Sequence, residues 1–425
     1  MQNLLDFIAD SPTPFHAVAN ISHRLESAGF RRLEEGEAWQ IAEPGDYFVT
    51  RNDSSLIAMR LDRISGETGF RMIGAHTDSP CLKIKPNATN CSNGYVTLAV
   101  EVYGGALLNP WFDRDLGVAG RVTVKTASGA MTSLLLRIDE PVAFIPSLAI
   151  HLDRKANEQK SVDRQKHLPA VMLRSDDGKY DFHTLLKSWL CRAYPELDID
   201  RVLSFELSLY DCQPPAAVGL GGEFIASARL DNLLSCHGAV EALLSAGGRA
   251  NRLIVLNDHE EVGSASSSGA AGPFLASVLA RLCRDEETLS RSLEHSMLVS
   301  ADNAHGVHPN FAERHEPGHR PLINEGPVIK INHNQNYATN SESEALFRAV
   351  CELNGIKHQS FVVRSDLGCG STIGPITATR VGVRTVDVGV PQLGMHSIRE
   401  LAGVKDQQYL ADALRGFFEY PDWPF

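Results

Sequence analysis

The chain has 425 residues, more than one ordinary core accommodates, so two or three domains are expected. Hydrophobic residues make up 43% and charged residues 22%, which excludes intrinsic disorder for most of the length. With 52 acidic against 40 basic residues the net charge is -12, which repels phosphate backbones and excludes a general nucleic-acid partner.

In chain order, Leu4, Leu5, Phe7 and Ile8 share a helical face, SPTP breaks the chain, and Phe15 to Ala28 resumes a helix that Gly29 stops. YFVTR, SLIAMRL and GFRMIGAHT read as strands. The last is a mostly apolar run that ends at polar His76, Thr77 and Asp78, as a buried strand does when its C-terminal end opens at a surface. From about Ser92 to Glu223 the texture is β-rich: YVTLAVEVY, GRVTVKT, SLLLRI and VLSFELSLY, with one helix near Phe182 to Tyr194 and an exposed polar loop from Arg154 to Lys166. After Glu223 strand and helix alternate. Asp231 to Ala246 is helical, RLIVLND a strand, GPFLASVLARLCRD a helix, SMLVSAD a strand and SESEALFRAVCELNG a helix ended by Gly355. HQSFVVRSD and RVGVRTVDVG are strands, and a helix near Val404 to Phe418 closes the chain.

This rhythm predicts an α/β fold with a mixed, mainly parallel sheet flanked by helices. Residues 1–91 and 224–425 would form that domain, with a β-rich domain inserted at 92–223. No window supplies the ~18 apolar residues of a membrane span, so no membrane partner is expected. The start has an acid at Asp6 and no basic region before an apolar stretch, which fits neither a secretory signal nor a transit peptide. Eight cysteines without a CxxC pair fit free thiols in a reducing cytoplasm.

Several predicted strands end in acids or histidines. GAHTDS supplies His76 and Asp78; NDHEEVGS supplies Asp258, His259, Glu260 and Glu261; VSADNAHGVHPN supplies Asp302, Asn303, His305 and His308. ARLDN places Asp231 at a helix start, where alone it reads as an N-cap, and GMHSIRE places His396 in a late loop. Open α/β sheets bind ligands at the C-terminal ends of their strands, so these groups could converge. Four consecutive acid or histidine groups after RLIVLN would repel one another without a local cation. Carboxylates mixed with imidazoles suit zinc, manganese or cobalt. HEEVG lacks the second histidine of HExxH, which excludes a zincin helix. Five ligands with one shared acid would hold two ions, and one of Glu260 and Glu261 must stay free to carry a proton.

Together GAHTDSP, ARLDN, NDHEEVGS, SADNAHGVHPN and GMHSIRE resemble the aspartyl aminopeptidase family of dinuclear zinc metallopeptidases, in the family's order and along nearly the whole chain. The resemblance implies a zinc-peptidase fold whose inserted domain mediates dimerisation. It makes His76, Asp231, Glu261, Asp302 and His396 the ligands of two zinc ions, with Asp231 as the bridge, His76 and Asp302 on one metal, and Glu261 and His396 on the other; manganese or cobalt are possible occupants. Glu260 matches the general base and Asp78 the acid that orients His76. His151, in AIHLDR, would reach a neighbouring subunit's site and stabilise the oxyanion, while Lys330 and Tyr337 would hold the substrate's acidic side chain. The implied activity is removal of N-terminal Asp or Glu from peptides through a metal-activated water, by a homo-oligomer built as a tetrahedral dodecamer of dimers. The alternatives are a broad-specificity aminopeptidase, an amidohydrolase of acylated amino acids, a thiol hydrolase using Cys369 near His396, or an inactive self-assembling shell.

Overall fold

The structure, a computed structural model, describes residues 1–175, 180–421 and 423–425. By its internal contacts the chain separates into two units. One comprises residues 1–78, 215–395 and 400–425, the other residues 79–214 and 396–399.

The first unit is built on a nine-stranded sheet. At its centre four strands run parallel, side by side in the order Asn251–Asn257, Phe70–His76, Met297–Ala301 and Arg384–Gly389. Antiparallel neighbours flank this centre, Ser55–Leu61 beside Asn251–Asn257 and Val328–Lys330 beside Arg384–Gly389, so the sheet is mixed as expected. Every residue of Asn251–Asn257 is buried, because both faces of the strand are covered. Ile254 and Leu256 point into a core shared with helices Gln2–Asp10, Pro14–Ser27, Leu230–Ser245, Ser341–Leu353 and Val404–Glu419. Leu253 and Val255, on the alternate face, pack with Phe274, Leu275, Val278 and Leu279 of helix Phe274–Cys283. A smaller five-stranded sheet joins Ala216–Val218, Phe224–Ser227, Glu400–Gly403, Pro391–Leu393 and Ala304–His305.

The second unit is an antiparallel six-stranded sheet in the order Met131–Ala143, Leu116–Thr126, Ile199–Asp211, Cys81–Ser92, Tyr95–Tyr103 and Ala170–Arg174. A backbone bridge between Phe144 and Val171 ties its outer strands together at one end. Helix Phe182–Ala193 covers the sheet with Phe182, Leu186, Trp189 and Leu190. The stretch 154–166 is exposed or half-buried throughout.

Two expectations need correction. The unit boundaries fall at 78/79 and 214/215 rather than 91/92 and 223/224, because Cys81–Ser92 is itself a strand of the six-stranded sheet. Pro86 masks that strand in the sequence, and it sits where pairing with Tyr95–Tyr103 is interrupted between Ile84 and Thr89. RVGVRTVDVG is not one strand either. Its first two residues end helix Ile373–Val381, Gly382 turns the chain at φ +78°, and the strand starts at Arg384.

One buried group gives this unit an acid-sensitive point. His237, on helix Leu230–Ser245, is 3% exposed; its Nε2 lies 3.5 Å from Glu241 Oε1, and Arg24 holds the same carboxylate. Burial lowers the imidazole to about 4, with Glu241 opposing and Arg24 and the N-terminal ammonium adding to the shift. The folded chain therefore keeps His237 neutral while the unfolded chain takes up a proton below about 6.5. His237 contributes stability above that pH and loses it as pH falls towards 4, a loss on the order of 3 kcal/mol. Thermal melts of His237→Gln and the native sequence from pH 7.5 to 4 should show the variant falling less steeply. Parallel curves would count against this.

Candidate metal centre

Each chain segment of the site arrives from the C-terminal end of a central strand or from the helix beside it. His76 is the last residue of Phe70–His76, Asp302 follows Met297–Ala301, and Glu260 and Glu261 open a 3₁₀ turn just beyond Asn251–Asn257. Asp231 is not the expected N-cap. It lies just inside the start of Leu230–Ser245 with non-helical dihedrals, φ −83° and ψ 104°, and Arg229 occupies the cap position. The departure from helical geometry turns the carboxylate towards His76.

His76 is 1% exposed. Its Nδ1 lies 3.0 Å from the carbonyl oxygen of Asp78 and 3.4 Å from Asp78 Oδ1. A carbonyl only accepts, so Nδ1 carries the hydrogen and donates it. In the neutral ring Nε2 then presents a lone pair, and it faces Asp231 Oδ1 and Asp302 Oδ1, each at 3.4 Å. A lone pair and two carboxylate oxygens at that spacing repel one another unless a cation sits among them. Burial opposes charging the ring, yet Asp231, Asp302 and Asp78 together raise its pKa well above the usual value, so the carboxylates favour positive charge at that place. The donor set is one a divalent ion would satisfy instead: ligand atoms of His76, Asp231 and Asp302 lie within 4.8 Å of one another, as do those of His76, Glu260 and Glu261.

The surrounding charges point the same way. Burial pushes Glu260 up to about 8; His76 restrains it, while Asp302, Asp231 and Asp78 add to it. Burial and then Asp231 raise Glu261 well above the carboxylate range. Asp302 is held low despite its burial, because Lys330 and His76 favour its charge. Lys330, at the end of Val328–Lys330 and 2% exposed, donates from Nζ to Asp302 Oδ2 at 3.2 Å and to the Asn303 carbonyl at 3.0 Å. Tyr337, 4% exposed, sets its ring centroid 5.3 Å from that Nζ.

Backbone and side-chain contacts behind the cluster fix it. Asp78, 1% exposed, accepts the Glu260 N–H on Oδ1 and the Glu261 N–H on Oδ2, both at 3.1 Å. The Asp231 N–H donates to Glu400 Oε2 at 3.0 Å. Asn303 donates to the Leu230 carbonyl and to Gln392 Oε1. His259 shares a hydrogen bond with Ser266 Oγ at 2.8 Å and so ties down the loop after the two glutamates. The sequence reading missed Glu400 and Gln392 as positioning groups. Their signal is a polar residue buried within a short β-strand, and both are 2% exposed.

His76, Asp78, Asp231, Glu260, Glu261, Asp302, Lys330 and Tyr337 all belong to the first unit. His396 and His151 belong to the second. His396 has φ 67° and its Nδ1 lies 3.2 Å from the Gly105 carbonyl. His151 is exposed in a turn. Of the other strand-end histidines, His305 is exposed with its ring 5.7 Å from Phe361, and His308 packs 4.9 Å from Phe311.

An imidazole and several carboxylates converge at the C-terminal ends of parallel strands, on a sheet covered by helices, and form a donor set that could hold a divalent ion. Comparison with known proteins makes this specific. The family model described as aminopeptidase I zinc metalloprotease (M18) matches residues 7–418. A probable M18 family aminopeptidase 2 of Pseudomonas aeruginosa is 56% identical over 425 residues, covering 100% of this chain and 99% of that protein. The cryo-EM structure of the Ape4 and Nbr1 complex superposes with a TM-score of 0.95 at 40% identity, covering 98% of this chain and 85% of that one. The S. cerevisiae mApe1 dodecamer gives 0.86 at 31% identity, covering 99% and 96%. The chain belongs to the M18 family of zinc metalloprotease aminopeptidases.

Proposed function

We propose that this aminopeptidase removes N-terminal Asp or Glu from peptides and holds two zinc ions, with manganese or cobalt able to replace them. The ligands in this reading are His76, Asp231, Glu261, Asp302 and His396, with Asp231 shared. His396 enters from the family resemblance. Those residues would hold the zinc, which would supply polarisation of the scissile carbonyl and a water made acidic near neutral pH. Glu260 receives the proton of the attacking water and passes it to the leaving amine, a role suited by its raised pKa. Asp78 holds the His76 tautomer. His151, offered by a neighbouring subunit, donates to the developing oxyanion.

The observation that carries acidic specificity is the buried Lys330 beside the cluster. An ammonium has three N–H donors, and Asp302 and the Asn303 carbonyl engage two of them. Among the described residues the third has no hydrogen-bond acceptor; flanked by Tyr337, it would meet a substrate carboxylate. A panel of aminoacyl amides tests this: Asp and Glu substrates should turn over fastest, and faster cleavage of Leu or Ala substrates would sink it. Lys330→Ala should raise KM for Asp substrates on the order of tenfold or more, and much less for neutral ones. Loss of the Asp302 contact would lower kcat for both alike, so the ratio of KM values is the reading that counts.

The proposal extends to assembly: a tetrahedral dodecamer of dimers in the cytoplasm, with the inserted domain at the dimer contact. Support comes from the turn bearing His151, where Leu148, Ile150 and Leu152 are 62%, 46% and 75% exposed, an apolar run that a monomer leaves unburied. The mApe1 relative is described as a dodecamer. All eight cysteines carry free thiols, in keeping with a reducing compartment, and no described helix is long and apolar enough to cross a membrane.

A further inference from the structure

We propose that Asp387 is a positioning residue for substrate selection: its buried carboxylate clamps the two segments that form the Lys330–Tyr337 wall. The inference rests on the acidic-substrate reading above and deepens it.

Asp387 lies on the central strand Arg384–Gly389 and is 0% exposed. No step of the chemistry uses it. A buried carboxylate needs compensation, and here it comes from several sides. Oδ2 accepts the Ala338 N–H at 2.6 Å, and the backbone N–H of Asp387 donates to Thr339 Oγ1 at 2.9 Å. These two bonds grip the residues directly after Tyr337. Oδ1 accepts the Thr372 hydroxyl at 2.6 Å, and Thr372 is the N-cap of helix Ile373–Val381. The carboxylate thus faces the positive end of a helix, and it reaches there because residue 374 is glycine: a Cβ at that position would lie 2.4 Å from either oxygen.

The two gripped segments meet in front of Lys330. Cys369, just ahead of Thr372, packs against the small cluster that contains Tyr337, so the tyrosine is held from both sides of the clamp. Lys330 in turn acts on two buried carboxylates, Asp302 by direct contact and Asp387 through its charge. Asp387 therefore fixes where Tyr337 stands relative to the third Lys330 donor. Loss of the clamp lets that wall relax and weakens recognition of the substrate's acidic side chain, while the metal ligands keep their own contacts.

The test compares Asp387→Ala, Asp387→Asn and Thr372→Val with the native enzyme on Asp, Glu and Leu amides. For Asp387→Ala, KM for the acidic amides should rise about tenfold or more, with KM for the Leu amide changed less than about threefold, the size expected from losing charge-assisted hydrogen bonds. Asp387→Asn, which keeps one acceptor for Ala338 and can donate to Thr372, should recover most of the affinity. Thr372→Val should give a smaller rise of the same selectivity, and it carries the test if Asp387→Ala does not fold. A merely structural role would lower the melting temperature and change both substrate classes equally; that result, or unchanged KM for the acidic amides, overturns the inference. A native enzyme without preference for acidic amides would remove the substrate reading itself, and is seen before any variant is made.

Discussion

Glu260→Gln should lower kcat by roughly two to four orders of magnitude and leave the bound metal in place. The substitution keeps the shape of the side chain and the Glu260 N–H bond to Asp78, so the turn that carries both glutamates is retained. What it removes is a carboxylate able to accept a proton and release it within one turnover. Burial raises that group to about 8, and a carboxylate with a raised pKa takes a proton from water more readily than an ordinary glutamate does. Glu261→Gln is the necessary companion. Carboxylate oxygens of both residues lie within 4.8 Å of His76 nitrogen, so distance alone gives either one access to a metal. If Glu261 is the ligand, its variant loses metal on dialysis and recovers activity with added zinc, while the Glu260 variant does neither. Elemental analysis beside steady-state kinetics decides the matter. The opposite pattern would exchange the two roles, and a Glu260→Gln enzyme within tenfold of the native kcat would remove the base from the mechanism.

The site was legible because each element advertises its own end. Three apolar runs stop at polar residues, and those stops, His76, Glu260–Glu261 and Asp302, lie together once the strands pair in parallel. Asp231 was harder. An acid before a helix ordinarily caps it, and only the non-helical dihedrals at Asp231 reveal that its side chain serves another partner. Helix Glu286–Glu294 escaped notice because it is mostly polar: only Leu289 and Leu293 lean on the core, and its start is set by Asp285, whose carboxylate caps the Thr288 N–H. The Asp387 clamp was invisible for a different reason. Ala338, Thr339, Thr372 and Gly374 carry no pattern that joins them; they come together only through the register of one strand. Local periodicity writes strands and their ends into the sequence, but buried polar networks are a property of the packed chain.

Asp78→Ala should weaken metal affinity by about 10- to 100-fold, and the enzyme should regain much of its rate in excess zinc. An acid behind a ligand histidine commonly fixes that one ring. Here the carboxylate does more, because its two oxygens also receive the N–H groups of Glu260 and Glu261, each at 3.1 Å. The Asp78 main chain accepts from His76 Nδ1 and sets the tautomer, while its side chain, 3.4 Å from that nitrogen, orients the turn that brings in the proposed base and a proposed ligand. Asp78 is 1% exposed, so water cannot replace it readily when it is removed. The geometry also predicts that asparagine is a poor substitute. Its single acceptor oxygen can serve one of the two N–H groups, and its NH₂ must then confront the other donor. Asp78→Asn should therefore lie closer to Asp78→Ala than to the native enzyme in a zinc titration. If the asparagine variant bound zinc as the native protein does, the paired N–H contacts would carry no weight; if instead both variants weaken together, the acid is the joint that holds the imidazole and the glutamates in one register.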